Sequence, residues 1–222
     1  MSAQSADLKK VALAAGSILA IAASSLWIYF HHFAAPKINV PLHQAVGRVM
    51  AEETAKLVDN RGKIVVIAIE TAHDAELKVQ LEEFEKTLKK FSGITVAKTY
   101  MLETENRAKY GTGSGLSARR FIRIVNKNTT AAALVSFVGT PELKDDEVGQ
   151  LQARPKFIAE SRSVGKLGNL FSKRLLQVAI VSRFQFPAPV EGKPGTLRQW
   201  FDKRFQVVTA EMVDALPAAT AE

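Results

Sequence analysis

The chain has 222 residues, no cysteine and a formal net charge of +8. The absence of cysteine excludes disulfides, thiolate catalysis, iron–sulfur clusters and cysteine zinc sites. The charge is uneven, because residues 1–104 carry a net +1 and residues 105–222 carry a net +7. This bias favours membrane lipids, acidic protein surfaces or other membrane-complex proteins as partners, and a basic surface that is merely solvated is the alternative. Nucleic acid is not expected, since no basic motif interleaved with aromatic residues is present.

The N-terminal region contains twenty consecutive residues, 11–30, without a charged side chain. A helix of that length spans roughly 30 Å, which matches the hydrocarbon core of a bilayer. Lys9 and Lys10 precede the run, and Trp27 and Tyr29 lie near its end, as is typical of a membrane-spanning segment with cationic and aromatic flanks.

This pattern predicts a cytoplasmic N-terminus at 1–10 and a transmembrane anchor at 11–33. The predicted location is the bacterial inner membrane, as a single-pass protein whose domain lies in the periplasm. A cleaved signal peptide and a buried core helix are the alternatives, although the apolar region of a signal peptide is typically shorter, about 7 to 15 residues.

The rest of the chain is predicted to comprise a linker at 34–42, one α/β domain at 43–216 and a tail at 217–222. The length of this region suits one ordinary domain with its own core. Helices and strands alternate along it, and such alternation is typical of βαβ units around a parallel sheet. Helices are predicted at 43–58, 74–91, 117–127, 145–151, 166–176 and from 196, and strands at 63–70, 94–102, 131–138, 156–160, 178–184 and 205–208.

Two segments carry this prediction. The run KIVVIAIE at 63–70 is uniformly apolar and β-branched, which predicts a central strand covered on both faces. In the helix at 74–91 the apolar residues recur every three or four positions, so they share one face. A coiled coil is the alternative for that helix, but another strand follows at once. The predicted fold is therefore a single N-terminal transmembrane helix followed by a doubly wound, mostly parallel sheet with helices on both faces.

Four stretches, GKIVVIAIE, FSGITVAKTYML, AAALVSFVG and RPKFIAES, together resemble one lobe of a type I periplasmic binding protein, or more broadly a flavodoxin-like domain. The resemblance covers about 150 residues and rests on the order of strands and helices. It implies a ligand held between two lobes, of which this chain supplies one.

In open parallel sheets, ligands bind beyond the carboxyl ends of the strands. The residues expected there as ligand-binding candidates are Glu70, Thr71, His73, Asp74, Glu103, Thr104, Asn106, Glu160, Ser161 and Arg162, with Gly139, Thr140 and Arg183 nearby. Three of the strands are followed by or end in glutamate, a residue type that can hold Mg²⁺. The alternative is that charged residues end buried strands because the chain reaches water there. We predict no metal, no cofactor and no catalytic residue, since no nucleophile motif is present.

A glycine-bearing loop before the helix at 117–127 is a second candidate site. Its backbone amides and the helix N-terminus would bind an anion, with Gly113, Gly115, Ser117, Arg119 and Arg120 as the candidate residues. The loop does not match a P-loop or a dinucleotide-binding motif, so an ordinary connecting loop is the alternative.

Three functions are compatible with these patterns. The first is a non-enzymatic accessory subunit that is anchored in the membrane and presents its domain to a larger assembly. The second is the binding or sensing of a small anion or other solute at the carboxyl edge of the sheet. The third is a metal-dependent phosphoryl-transfer enzyme that uses Glu70, Glu103 and Glu160.

Overall fold

A computed structural model of the chain describes residues 3–30, 38–71, 74–102, 116–161, 167–183 and 194–215. The chain divides into two compact units, Met1–Ile38 and Asn39–Glu222. Among the described residues, the first unit contains one helix, and the second contains a mixed α/β domain.

The first helix, α1, extends over Ala3–Ile28, so the apolar run predicted to be helical does form a helix. Its side chains are described from Ala14 onward, and all of those up to Phe30 are exposed. Ile18 and Leu19, for example, expose 68% and 71% of their surface. Within the part of the chain that the structure describes, no helix is both long and apolar enough to cross a bilayer. The predicted transmembrane anchor thus gains no support from the structure.

The second unit contains six strands and six further α-helices among its described residues. The helices are α2 (Val40–Leu57), α3 (Ala75–Leu88), α4 (Ala118–Lys127), α5 (Asp145–Val148), α6 (Leu167–Ser172) and α7 (Leu197–Arg204). The strands are β1 (Gly62–Ile69), β2 (Ile94–Leu102), β3 (Ala133–Ser136), β4 (Lys156–Ser161), β5 (Val178–Ser182) and β6 (Phe205–Thr209). A 3₁₀ helix, Ala210–Ala215, follows β6. The predicted tail at 217–222 lies outside the described residues.

The six strands form one sheet in the order β2-β1-β3-β4-β5-β6. The first five are parallel, and β6 runs antiparallel to β5 at one edge. β1 lies between β2 and β3, and its residues from Ile64 to Ile69 are all buried, so the predicted central strand is confirmed. The predicted edge strand near the C-terminus is confirmed as β6.

Helices cover both faces of the sheet. On one face, α2, α3 and α7 enclose a core that includes Met50, Phe84 and Phe201. On the other face, α4 and α6 enclose a core that includes Phe121 and Leu170. The predicted α/β class with a mostly parallel sheet is therefore confirmed, and α3 packs within this layered structure rather than as a coiled coil.

Several boundaries differ from the predictions. α2 begins at Val40, inside the predicted linker, because Pro41 is compatible with the first turn of a helix and Asn39 caps it by accepting a hydrogen bond from the Leu42 amide at 3.3 Å. β3 is shorter than predicted. α6 ends at Ser172, four residues early, and Arg174 adopts a left-handed backbone with φ of 55° just beyond it.

Side chains cap the starts of α3 and α7. The carboxylate of Asp74 accepts a hydrogen bond from the Leu77 amide at 2.9 Å at the start of α3. At the start of α7, Thr196 and Gln199 form a reciprocal capping box, in which each side chain accepts a hydrogen bond from the backbone of the other residue. These local patterns fix where the helices start, and hence where the strand-to-helix loops lie.

Candidate functional site

The strand order creates a topological switch point between β1 and β3. From β1 the chain passes through α3, on one face of the sheet, to β2 at the edge. It then returns through α4, on the opposite face, to β3 on the other side of β1. The segment that leaves the carboxyl end of β3 packs through Leu143 into the core on the α4 side, whereas the segment that leaves β1 leads to α3 on the other face, so the two connections diverge to opposite faces. In open α/β sheets such a point opens a crevice in which ligands bind.

Backbone hydrogen bonds join the end of β1 to its two neighbours, β3 and β2. The Phe137 amide donates to the Ile67 carbonyl at 2.9 Å, and the Glu70 amide donates to the Leu102 carbonyl at 3.2 Å. A tight turn follows β3, in which the Ser136 hydroxyl donates to the Gly139 carbonyl at 2.7 Å. Gly139 has a φ of 90°, a conformation that residues with a Cβ rarely adopt. The edge of the switch point is thus a defined backbone structure.

Four predicted ligand-binding residues are described at this edge of the sheet. Glu70 is exposed, Thr71 and Glu160 are half-buried, and Ser161 is buried at the end of β4. β1 and β4 are separated by β3, which at about 4.8 Å per strand places Glu70 and Glu160 roughly 10 Å apart. The two glutamates therefore lie at the same edge but not adjacent to each other.

Other predicted residues have structural roles or lie outside the described residues. Asp74 caps α3, and Arg183 donates from Nε to the Phe205 carbonyl at 2.8 Å, which joins the end of β5 to the start of β6. Ser117 caps α4 by accepting a hydrogen bond from the Arg120 amide at 3.4 Å, while the side chains of Arg119 and Arg120 are exposed. The predicted residues outside the described ranges are His73, Glu103, Thr104, Asn106, Gly113, Gly115 and Arg162.

The magnesium alternative required Glu70, Glu103 and Glu160 to converge. Glu103 lies outside the described residues. Among the residues that are described, no group of three or more histidine or acidic side chains is placed to hold a metal ion. The phosphoryl-transfer hypothesis therefore stays a prediction, and the described residues show no metal centre that would support it.

An open cavity that the sequence did not predict lies between the segment that follows β3 and α6. Its volume is about 420 Å³, and it is formed by the loop after β3 and by α6. Its lining comprises Pro141, Glu142, Leu143, Lys144, Glu147, Asn169 and Leu170. Leu143 and Leu170 are buried and contribute an apolar floor, whereas the rim carries carboxylate, ammonium and amide groups. An apolar floor with a few polar groups is typical of small-molecule sites.

Hydrogen bonds and one ion pair hold the walls of this cavity together. The ammonium group of Lys173, just after α6, lies 2.7 Å from an Asp145 carboxylate oxygen and 3.3 Å from the Leu143 carbonyl. The hydrogen bond and the charge of Lys173 hold the pKa of Asp145 below its ordinary value. Glu147 accepts a hydrogen bond from the Lys144 amide at 2.8 Å. Two segments more than twenty residues apart in the chain are thus joined into one wall.

Comparison with solved structures gives the same fold. AraP, an arabinose-binding protein from Geobacillus stearothermophilus, is 17% identical, with a TM-score of 0.55 over 79% of this chain and 63% of AraP. An ABC transporter solute-binding protein from Burkholderia graminis in complex with D-arabinose is 18% identical, with a TM-score of 0.53 over 78% of this chain and 62% of that protein. A sugar-binding protein of a Bacillus halodurans sugar ABC transporter is 15% identical, with a TM-score of 0.51 over 78% and 63%.

The predicted resemblance to the type I periplasmic binding protein fold is confirmed. At these identities the comparison establishes the fold alone. The chain spans about 62 to 63% of the length of these three solute-binding proteins. No protein-family model matches the chain, and no curated protein matches it either.

Proposed function

We propose that the α/β domain binds a small polar solute at the carboxyl edge of its sheet, beside the β1/β3 switch point. The observation that carries this proposal is the cavity of about 420 Å³ between the loop after β3 and α6, at the edge where open α/β folds bind ligands. Solved proteins of the same fold bind arabinose and other sugars. These comparisons favour solute binding over the accessory-subunit interpretation.

The lining of the cavity indicates the class of solute. Glu142 and Asn169 offer acceptor and donor groups of the kind that hydrogen-bond to hydroxyls, and Lys144 adds a cationic donor. A monosaccharide presents hydroxyl groups around the edge of its ring and an apolar face of C–H groups. This combination suits a site with a polar rim and an apolar floor. A small anion is the alternative, and Lys144 is the lining residue that would attract it.

Thermal unfolding in the presence of candidate solutes tests the proposal. A solute at about 100 times its Kd stabilises a protein by roughly 2.7 kcal/mol, which corresponds to an increase in Tm of about 5 to 10 °C for a domain of this size. We expect such an increase with at least one pentose or hexose in a panel that also contains phosphate and sulfate. Asn169→Leu is expected to abolish it, since leucine removes an amide and reduces the cavity.

Thr95→Leu is the matched control, because it also replaces an exposed polar side chain by leucine but lies on β2. This variant is expected to retain the increase in Tm. An increase with phosphate or sulfate alone would change the solute class to an anion. If no sugar and no anion raises the Tm at millimolar concentration, the proposed function is wrong.

We also propose that α1 holds the chain at a lipid membrane, with the domain in the periplasm. This proposal is supported by the exposure of α1: its described side chains are exposed on all sides of the helix, although they include the apolar residues Ile18, Leu19 and Ile21. The uncharged run starts at Val11, three residues before the first described side chain. A helix that is apolar around its whole circumference is typical of a buried or membrane environment.

Extraction of membranes with alkaline carbonate tests this second proposal. The unaltered chain is expected to remain in the membrane pellet. The double variant Leu19→Lys with Ile21→Lys is expected to appear in the supernatant, because each lysine near the centre of a membrane helix costs about 2.5 to 3.5 kcal/mol. The control, Thr95→Lys with Thr129→Lys, adds the same charge on the domain and is expected to stay in the pellet. Extraction of the unaltered chain by carbonate would overturn the proposal. An accessory role toward other membrane proteins stays a prediction.

A further inference from the structure

α4 carries a continuous stripe of cations. Arg119, Arg120, Arg123 and Lys127 are all exposed. At 100° per residue these positions lie within an arc of about 100° on the helix surface. The other side of the helix is apolar and buried, and includes Phe121, Ile124 and Val125. The stripe therefore points away from the sheet along the ten residues of α4, a length of roughly 15 Å.

Within the described residues, the stripe lacks the acidic partners that several exposed cations on other helices have. Arg48, Lys56, Lys86 and Arg198, all on other helices, form ion pairs with acidic residues three or four positions away. α4 itself contains no acidic residue. Within the described ranges, no carboxylate forms an ion pair with any of its four cations. Among the described residues, no acidic side chain thus neutralises the positive charges of this helix.

Lys98 on β2 extends the stripe. Its ammonium group lies 4.7 Å from the centre of the Tyr100 ring, and the Tyr100 hydroxyl accepts a hydrogen bond at 2.9 Å from Asn128, the C-cap residue of α4. The β1–β2 register places Lys98 and Tyr100 opposite Val65 and Ile67, which belong to the core on the α4 side of the sheet. Lys98 therefore lies on the same face as α4.

We propose that this surface, Lys98, Arg119, Arg120, Arg123 and Lys127, docks the domain onto the anionic headgroups of a lipid membrane. The three arginines of the stripe can each form paired hydrogen bonds with phosphate oxygens. The stripe lies on a convex helix surface, which suits a planar array of headgroups. The same chain carries α1 with its exposed apolar side chains, and an apolar segment combined with a basic surface is a common basis for stable attachment to membranes.

The size of the effect follows from the number of cations. One basic side chain near an anionic membrane surface increases binding about fivefold at physiological ionic strength. Neutralising three of the five is therefore expected to weaken binding on the order of 100-fold. The effect depends on salt, because these charges are exposed and are screened within roughly 10 Å at about 0.1 M salt.

The absence of cysteine allows a site-specific test with the full chain. A fluorophore on Thr129→Cys, just beyond α4, reports contact with vesicles that carry a headgroup quencher. A second fluorophore position, Glu85→Cys, lies on α3 at the opposite face of the sheet and is the spatial control. Vesicles of phosphatidylcholine alone are compared with vesicles that also contain phosphatidylglycerol.

We expect quenching at position 129 with anionic vesicles, little with neutral vesicles, and less quenching at position 85. Quenching at position 129 is expected to disappear in the triple variant Arg119→Gln, Arg120→Gln, Arg123→Gln and when salt is raised from about 0.1 M to about 0.5 M. The matched control Arg61→Gln, Lys89→Gln, Lys90→Gln removes the same charge from exposed positions outside α4 and is expected to behave as the unaltered chain.

Equal quenching at the two label positions, or unchanged quenching in the α4 triple variant, would overturn the proposal. Binding of RNA or of an acidic protein to the stripe, without binding of anionic vesicles, would also overturn the proposal. Membrane docking through α4 does not depend on the solute site. Measuring the Tm response to sugars in the α4 triple variant therefore distinguishes a failure of the docking proposal from a failure of the solute-binding proposal.

Discussion

Replacing Gly47 by alanine is expected to destabilise the α/β domain by about 3 kcal/mol, at the upper end of the usual cost of overpacking. Gly47 lies in α2 where this helix approaches α3 most closely. A Cβ at position 47 would lie 2.0 Å from the backbone carbonyl oxygen of Gln80 and 2.9 Å from its carbonyl carbon. Because these atoms belong to the backbone of α3, no side-chain rotation can relieve the clash and the two helices must separate.

Separation of α2 and α3 would also affect a buried polar contact one turn away. His43 Nδ1 and Gln80 Nε2 are 3.4 Å apart, and both residues are buried. Urea unfolding measures the loss of stability. Gly149→Ala is the control, because the nearest atom to its Cβ is 3.4 Å away and its backbone is helical, so a change within about 1 kcal/mol is expected. A Gly47→Ala variant as stable as the unaltered protein would contradict the close approach.

Replacing Phe84 by alanine is expected to cost about 3 to 5 kcal/mol, the usual range for removing a buried phenylalanine. Phe84 is 0% exposed and points from α3 into the core beneath α2. Its ring packs edge-to-face against Phe137, with 5.3 Å between the ring centres, and this geometry adds to the loss. Since natural domains are stable by only about 5 to 15 kcal/mol, this variant is expected to unfold near physiological temperature.

Met101→Ala is the matched control for this second prediction. Met101 is 53% exposed on the edge strand β2, so its truncation is expected to change the free energy of unfolding by no more than about 0.5 kcal/mol. Thermal unfolding of both variants measures the contrast. Similar losses at the two positions would mean that Phe84 is not part of the core.

Phe84 contributes to the candidate site indirectly. Phe137, the partner of Phe84, is the first residue after β3, and its amide is bonded to Ile67 at the switch point. Loss of the Phe84 ring therefore removes support from the segment that leads into the loop at 139–144. For this reason the solute test uses Asn169→Leu, an exposed position on α6, rather than a substitution in the core.

The sequence predicted most of the local structure correctly. The uniformly apolar stretch at 63–70 became the central strand β1, because only a strand covered on both faces hides such a run from water. The helices predicted to begin at 74 and 196 do begin there, because the side chains of Asp74 and Thr196 accept backbone hydrogen bonds from their first turns. The ends of β3 and α6 were predicted less well, since the chain leaves them through turns that depend on neighbouring segments.

The candidate site was predicted only in part. The rule that ligands bind at the carboxyl edge identified Glu70, Thr71, Glu160 and Ser161 as residues at that edge. It did not reveal that Asp74 and Arg183 are engaged in structural hydrogen bonds. It also missed the cavity, because Glu142 and Asn169 are far apart in sequence and meet only where the loop after β3 packs against α6.

The sequence by itself determined which segments are helices and strands, that they alternate, that α1 is a helix without charge in its apolar run, and that the rest of the chain forms an α/β domain. These properties follow from short-range patterns of apolar residues, caps and turns. Only the tertiary structure decided the strand order, the antiparallel β6, the contact of Gly47 with Gln80, and the alignment of the cationic stripe of α4 with Lys98. These features depend on contacts between distant segments, whose geometry is set by packing and not by local sequence.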